Sequence, residues 1–211
     1  MSEFDFVDHY EDQEESANLL PNNEAESAIN CAFVGVGGGG CKIAKAFLDL
    51  GFTKTLLINT TDKDFQSGID KDHLLALPGA DGVAKNIELG RKVLNENSAL
   101  VEDALRTRLG KVDWLFVCAG GGGGTGSSAA ILDPVFKRFL EINESTGKVV
   151  YIVTSPTSQE KLNSTIKSNG ISLESDVAED PHIVLDNERQ LNAFRGKVGV
   201  LGLYPAANKA F

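Results

Sequence analysis

The sequence predicts an α/β fold in which a doubly wound, mainly parallel β-sheet carries helices on both faces. Three observations support this prediction. Short apolar segments of strand length alternate with segments whose apolar residues recur at helical spacing, as in repeated βαβ units. The strand segments show no clean alternation of apolar and polar residues, which suits strands buried on both faces of a parallel sheet. Two of these strand segments lead directly into glycine-rich loops that open a helix.

Five segments are predicted to be strands, and all are rich in apolar residues. They occupy 28–36, 54–59, 113–119, 148–154 and 182–186. Right-handed crossovers between parallel strands bring the carboxyl ends of the strands to one edge of the sheet. Ligands of open α/β sheets bind at that edge, so the residues that follow each strand are the first candidates for a functional site.

Helical spacing of apolar residues predicts four helices between the strands. They cover 43–48, stopping at Gly51; a long stretch from 93 to 105, ending near Gly110; 132–140, ending before Gly147; and a weaker helix from about 158 to 169, stopped by Gly170. Pro134 lies inside the third pattern, where it is expected either to kink the helix or to delay its regular part.

The 211 residues are 42% hydrophobic, which is enough for one sizeable core. No apolar run is long enough to span a membrane, and the amino terminus lacks the pattern of a secretory signal, so we predict a cytoplasmic location. The three cysteines form no C-x-x-C pair. Neither a disulfide framework nor a zinc site is predicted from them.

Charge is distributed unevenly along the chain. Residues 1–27 contain nine acidic side chains and no Lys or Arg, so we predict a disordered acidic leader followed by one domain from 28 to 211. The alternative for this leader is a docking peptide built on Phe4, Phe6 and Tyr10. The rest of the chain is close to neutral, and no basic patch predicts direct binding of nucleic acid.

Two glycine-rich loops are the main functional signal. The sequence GVGGGGC, at 35–41, follows the first predicted strand, and AGGGGGTGSS, at 119–128, follows the third. A helix amino terminus offers free N–H groups and partial positive charge, and glycine lets the backbone approach an anion closely. Thr125, Ser127 and Ser128 add hydroxyl donors. The two loops therefore predict a phosphate cradle with two walls.

These glycines have three other possible interpretations. A plain linker does not fit a run that lies between a strand and a helix. Gly35-x-Gly37-x-x-Gly40 matches the dinucleotide fingerprint, but the second strand ends in Asn59-Thr60-Thr61 rather than in the acid that would hold a ribose. A Walker A loop is excluded because Cys41 stands where that motif needs lysine.

The second glycine run resembles the signature of the tubulin/FtsZ superfamily, which wraps the phosphates of GTP. Six further segments resemble family motifs in the same order along the chain: GVGGGGCKIAKAF, LLINTTD, GVAKNIELGRK, IVTSPTSQE, LDNERQL and YPAAN. The FtsZ branch is the closer likeness, and a plasmid or phage tubulin is the alternative. The resemblance implies a Rossmann-like GTPase domain that ends at the start of the family's central helix.

The resemblance also implies a set of nucleotide-binding residues. Backbone N–H groups of both glycine loops would hold the phosphates, Glu160 would bind the ribose, Asn187 and Asn208 would read the guanine edge, and Tyr204 would stack on the ring. The complete predicted set is Gly37, Gly38, Gly39, Gly40, Cys41, Lys42, Asn59, Lys85, Gly122, Gly123, Gly124, Thr125, Gly126, Ser127, Glu160, Asn187, Tyr204 and Asn208.

Each of these residues also has an ordinary structural alternative. Asn187 alone could be a helix N-cap, Glu160 a solvated helix residue, and Tyr204 a core residue. Lys42 could point to solvent instead of to a phosphate.

Lys42 and Lys85 depart from the usual family residues, and Ser164 stands where the family has a basic residue. These departures imply that a different set of side chains balances the phosphate charge.

The resemblance implies GTP or GDP as the ligand, with Mg²⁺ between the β- and γ-phosphates, and like subunits in a filament as partners. The family's acidic catalytic loop and second domain would follow Phe211, so no catalytic residue and no metal-ligating side chain is predicted in this chain. We expect a GTP-binding domain with little turnover alone. The alternatives are a nucleotide-binding regulator that does not polymerise and an NAD-type dinucleotide-binding module.

Overall fold

Six parallel strands form one sheet in the computed structural model, which describes residues 30–194. The strands are β1 (Cys31–Val36), β2 (Thr55–Asn59), β3 (Leu74–Ala76), β4 (Trp114–Gly120), β5 (Val149–Ser155) and β6 (His182–Asp186). Their order across the sheet is β3-β2-β1-β4-β5-β6. The chain therefore reverses its winding direction between β1 and β4, and this crevice is where doubly wound sheets bind their ligands.

Helices connect the strands on both faces of the sheet. They are α1 (Gly37–Asp49), α2 (Ile87–Glu96), α3 (Ser98–Leu109), α4 (Gly124–Ser127), α5 (Asp133–Ile142), α6 (Ser164–Asp176) and α7 (Asn187–Phe194). Short 3₁₀ turns occur at Lys71–His73, Ala129–Leu132 and Glu160–Leu162.

Two apolar clusters lie on opposite faces of the sheet. The larger one joins the β-strands to buried residues of α2, α3, α5 and α6, such as Leu94, Leu105, Phe136 and Leu173. The smaller one lies under α1 and is built around Phe33, whose ring stacks on Phe47 and Phe116. The predicted fold class, a doubly wound parallel sheet with helices on both faces, is confirmed.

All five predicted strands are present, with ends that differ by a residue or two; residues 28 and 29 of the first lie outside the described residues. Strand β3 is not among the predicted strands. This strand is only three residues long and pairs at the sheet edge, with Leu74 opposite Leu57. A segment of that length carries too little periodicity to be separated from a loop.

Three helix predictions need correction or refinement. The long helix predicted up to Gly110 is two helices, and Asn97 lies between them with its side chain donating to the carbonyls of Pro78 (3.0 Å) and Val93 (2.8 Å). Pro134 delays the regular part of α5, which a 3₁₀ turn precedes. Gly170 does not stop a helix: α6 continues to Asp176.

The three cysteines are all free and differ in exposure, which predicts their reactivity. Burial raises the pKa of the Cys41 and Cys118 thiols far above the usual value, whereas Cys31 is partly exposed at the start of β1. Because the thiolate is the reactive form, a disulfide reagent at pH 8 should modify one cysteine in the native chain and three after unfolding. Rapid modification of two or three thiols in the native chain would contradict the buried positions of Cys41 and Cys118.

None of the helices in the described part of the chain is both long enough and apolar enough to cross a membrane.

Candidate functional site

A cavity of about 450 Å³ opens at the carboxyl edge of the sheet, at the crevice between β1 and β4. Loops that follow β1, β2, β3, β4, β5 and β6 all contribute to it. The lining residues are Gly38, Gly39, Lys42, Ile43, Asn59, Thr60, Asp64, Gly82, Val83, Ala84, Gly120, Gly122, Gly123, Gly124, Thr125, Gly126, Thr154, Pro156, Glu160 and Asn187. Eleven of these belong to the predicted set.

The first glycine loop is itself the first turn of α1, which begins directly after β1. Gly38 and Gly39 line the cavity. Gly37 has φ +71° and is buried, and a Cβ on it would lie 2.5 Å from the backbone nitrogen of Gly126. The two glycine loops therefore touch, and side chains are excluded where they cross. Gly40 is buried against the β4 backbone and does not line the cavity.

The side chain of Cys41 points into the core, whereas that of Lys42 is exposed at the cavity. Cys41 is buried, and its thiol donates to the carbonyl oxygens of Ile58 (3.4 Å) and Gly35 (3.5 Å). This thiol ties the first turn of α1 to the strands, so only the backbone N–H of Cys41 could serve a ligand. Lys42 is exposed and lines the cavity, which places a cation at the rim.

The second glycine loop joins the end of β4 to α4. Gly122, Gly123, Thr125 and Gly126 line the cavity, and so does Gly124. However, the N–H of Gly124 donates to the carbonyl of Ala84 (2.8 Å), so in this structure that N–H is occupied by the protein.

Hydroxyl groups beside the second loop serve the protein rather than the cavity. Ser127 is buried and bonds to the carbonyl of Gly120 (3.4 Å), without lining the cavity. The hydroxyl of Thr125 is paired with that of Thr60, 2.9 Å away. Both pairs fix the loop.

A third wall comes from residues 82–86, the loop before α2. Gly82, Val83 and Ala84 line the cavity. Ala84 has φ +49°, a left-handed conformation that is uncommon for a residue with a side chain. The Lys85 side chain is exposed and does not line the cavity; its carbonyl accepts a hydrogen bond from Asn169 (2.9 Å). The structure thus brings Gly82, Val83 and Ala84 to the site but not the side chain of Lys85.

The turn after β2 supplies polar groups that sequence reasoning partly missed. Asn59 was predicted, and it is buried at the cavity with its amide donating to Asp64 (3.2 Å) and its oxygen accepting from the N–H of Thr60 (2.9 Å). Thr60 and Asp64 also line the cavity, although neither was predicted. Their position just beyond a strand at the carboxyl edge was the available signal. The nearby Asp62 is exposed and does not line the cavity.

The end of the cavity under β5 and β6 holds Glu160 and Asn187. One oxygen of the Glu160 carboxylate accepts from the N–H (2.8 Å) and hydroxyl (2.9 Å) of Thr157, so the carboxylate fixes the turn in which it lies. At the start of α7 the carboxylate of Asp186 caps the helix by accepting from the N–H groups of Glu188 and Arg189. Asn187 is therefore not the N-cap of α7, and the alternative interpretation of this residue as a helix N-cap is rejected.

Two predicted residues, Tyr204 and Asn208, lie outside the described residues. Within 30–194, no group of three or more His, Cys, Asp or Glu side chains is arranged to hold a metal ion.

These features define a class: a doubly wound α/β domain whose two glycine-rich turns cross at the crevice where such folds bind nucleotides. The chain is similar to the cell division protein FtsZ 2 of Methanocaldococcus jannaschii, with 31% identity in an alignment of 166 residues that covers 75% of this chain and 40% of that protein. No family model matches the chain.

Solved structures of low sequence identity share the fold. CetZ from Methanosaeta thermophila superposes with a TM-score of 0.72 at 23% identity, over 86% of this chain and 51% of that one. TubZ of Clostridium botulinum phage c-st gives a TM-score of 0.68 at 22% identity, over 86% and 57%. An empty FtsZ dimer from M. jannaschii gives a TM-score of 0.63 at 20% identity, over 89% and 53%.

The chain is thus similar in sequence to FtsZ, and it shares its fold with CetZ, TubZ and FtsZ. It spans about half the length of the solved relatives it matches, and 40% of the curated relative.

Proposed function

We propose that this chain is the GTP- and GDP-binding domain of a tubulin/FtsZ-like cytoskeletal protein. The observation that carries the proposal is the crossing of two glycine-rich turns at the rim of one cavity, at the crevice between β1 and β4. The similarity to FtsZ supports the guanine nucleotide as the ligand.

The residues that line the cavity support one direction for the proposed nucleotide. Glu160 and Asn187 lie at the end under β5 and β6, where a carboxylate suits ribose hydroxyls and an amide suits the guanine edge. The phosphates would lie between the two glycine loops, near backbone N–H groups and Lys42. The terminal phosphate would then point towards the 82–84 backbone, away from the nucleoside.

Magnesium would be held mainly by the nucleotide. Mg²⁺ binds phosphate oxygens and water and takes few protein ligands, and the described residues provide no dedicated cluster. Asp64 lies beside Gly38 at the rim, where a Cβ on Gly38 would be 3.6 Å from its carboxylate oxygen. An acid in that position fits a cation between the protein and the phosphates.

Hydrolysis in the complete protein would depend on positioning and charge stabilisation, as in other phosphoryl transfers. Filament formation, with like subunits as partners, is proposed for the complete protein. The biological role would be cell division, or DNA or phage positioning, in the cytoplasm and without direct contact to nucleic acid. A regulator that does not polymerise is the main alternative, and sedimentation of the complete gene product with GTP separates the two.

Titration calorimetry with GTP, ATP and NAD tests the proposed ligand. We expect GTP to bind at least about tenfold more tightly than ATP, because an amide that pairs with guanine is left unsatisfied by adenine. Asn187→Ala should reduce this preference, whereas Asn143→Ala, at the far end of α5, should not change it. Equal affinity for GTP and ATP, or tighter binding of NAD, would contradict the proposal.

A further inference from the structure

Asn169 is a buried amide that joins two loops of the cavity. It lies in α6, and only 3% of its surface is exposed. Its side-chain nitrogen donates to the carbonyl of Lys85 (2.9 Å) and approaches the carbonyl of Gly123 at 3.5 Å. A buried amide is costly to place unless its hydrogen bonds are made, so these contacts determine where the two loops can lie.

The backbone of α6 is held directly against the second glycine loop. A Cβ on Gly121 would lie 3.0 Å from the Cα of Gly170, and a Cβ on Gly170 would lie 3.1 Å from the ring of Pro156. This close approach explains why α6 runs through a glycine instead of stopping there. It also places Asn169, the preceding residue, within reach of both loops.

A second connection joins α6 to the helix that the 82–86 loop opens. The guanidinium of Arg91, on α2, donates to the hydroxyl of Ser172 (3.1 Å) and to the carboxylate of Asp176 (2.7 Å). Helix α6 is therefore connected to the loop through Asn169 and to α2 through Arg91.

Two consecutive carbonyls of the loop are held by hydrogen bonds. That of Ala84, the residue with φ +49°, accepts from the N–H of Gly124, and that of Lys85 accepts from Asn169. Loss of the Asn169 donor would leave the Lys85 carbonyl without this partner. The loop would then keep the hydrogen bond from the N–H of Gly124 to Ala84 and that from the N–H of Gly82 to the carbonyl of Thr60 (2.9 Å).

We propose that Asn169 is a positioning residue that holds the 82–86 loop against the second glycine loop and so sets the affinity for the terminal phosphate. The expected effect on phosphate affinity rests on the proposed function, because that proposal supplies the orientation of the nucleotide in the cavity. Asn169 itself does not line the cavity. Its action is indirect, through Gly82, Val83 and Ala84, which do line it.

The test compares Asn169→Leu, which keeps the size of the side chain but removes the donor, with Leu173→Ala. Leu173 is fully buried one turn further along α6 and makes its contacts in the apolar core, so its loss destabilises the domain without touching the loop. In Asn169→Leu we expect GTP affinity to fall about tenfold or more and GDP affinity less than about threefold. In Leu173→Ala the melting temperature falls and the ratio of the two affinities stays at the wild-type value.

Hydrogen exchange of the nucleotide-free chain provides a readout that does not depend on the proposed function. In Asn169→Leu the amide of Gly124 and the peptide covering 82–90 should exchange faster, while the β1 and β4 amides keep wild-type rates. Faster exchange in a chain that binds no guanine nucleotide would support the positioning role and contradict the proposed function. Unchanged exchange of the loop, or a rise spread evenly over the domain as in Leu173→Ala, would overturn the role of Asn169, as would equal losses of GTP and GDP affinity.

Discussion

Gly40→Ala is expected to reduce the free energy of unfolding by about 3 kcal/mol or more, at or beyond the upper end of the usual cost of overpacking a core. A Cβ at this position would lie well inside van der Waals contact with the carbonyl oxygen of Cys118 and 3.1 Å from the Cα of Ala119. Both atoms are backbone of β4, which is fixed by pairing with β1 and β5. Neither α1 nor β4 can move without a large cost in free energy, because α1 and the centre of the sheet would have to separate.

Urea denaturation of the nucleotide-free chain measures this effect. The matched control is Gly38→Ala, two residues earlier in the same loop, where a Cβ would meet nothing closer than a side-chain oxygen at 3.6 Å. This variant should remain within about 1 kcal/mol of the wild type, the cost or gain of a glycine substitution in a helix. Similar stabilities for the two variants would show that α1 does not pack on β4 as described.

Gly38→Asp is expected to remove nucleotide binding while the domain stays folded. Its side chain would enter the cavity, beside Asp64, where the phosphates are proposed to lie. Two unit charges about 4 Å apart repel by about 4 kcal/mol at an effective dielectric constant of about 20, so GTP affinity should fall at least about 100-fold. Titration calorimetry at two salt concentrations checks this, because screening should weaken the repulsion.

Gly38→Asn separates charge from size, since it has the same shape as the aspartate variant without its charge. We expect a smaller loss of affinity that does not depend on salt. Gly124 is a poorer place for this test, because a Cβ there would lie 2.8 Å from both the carbonyl of Asn86 and the side chain of Val83. Equal affinities of the aspartate and asparagine variants for GTP would argue against phosphate in the first loop.

The elements that could be predicted from the sequence are those whose signal is local. Buried parallel strands appear as continuous apolar runs, and the glycine loops stand out because so many consecutive glycines are unfavourable in the interior of a strand or helix. The break at Asn97 and the passage of α6 through Gly170 could not be predicted, because both depend on contacts with distant segments. Asn97 bonds to Pro78, and Gly170 meets Pro156 and Gly121 across the fold.

The same distinction applies to the site. Gly38, Gly39 and Asn187 line the cavity because the carboxyl ends of parallel strands meet at one edge, as predicted. The orientation of individual side chains and backbone N–H groups could not be predicted, because it depends on how the folded domain packs. The thiol of Cys41 enters the core, the N–H of Gly124 bonds to Ala84, and Asn169 reaches the loops from a helix that the sequence analysis did not connect with the site.

A crystal structure of the chain with bound guanine nucleotide tests the central claim most directly. We predict that the phosphates will lie between the backbone of 37–42 and that of 122–126, with the ribose near Glu160 and the base near Asn187. A nucleotide bound elsewhere on the domain, or a crevice between β1 and β4 that stays empty at saturating nucleotide, would contradict the account.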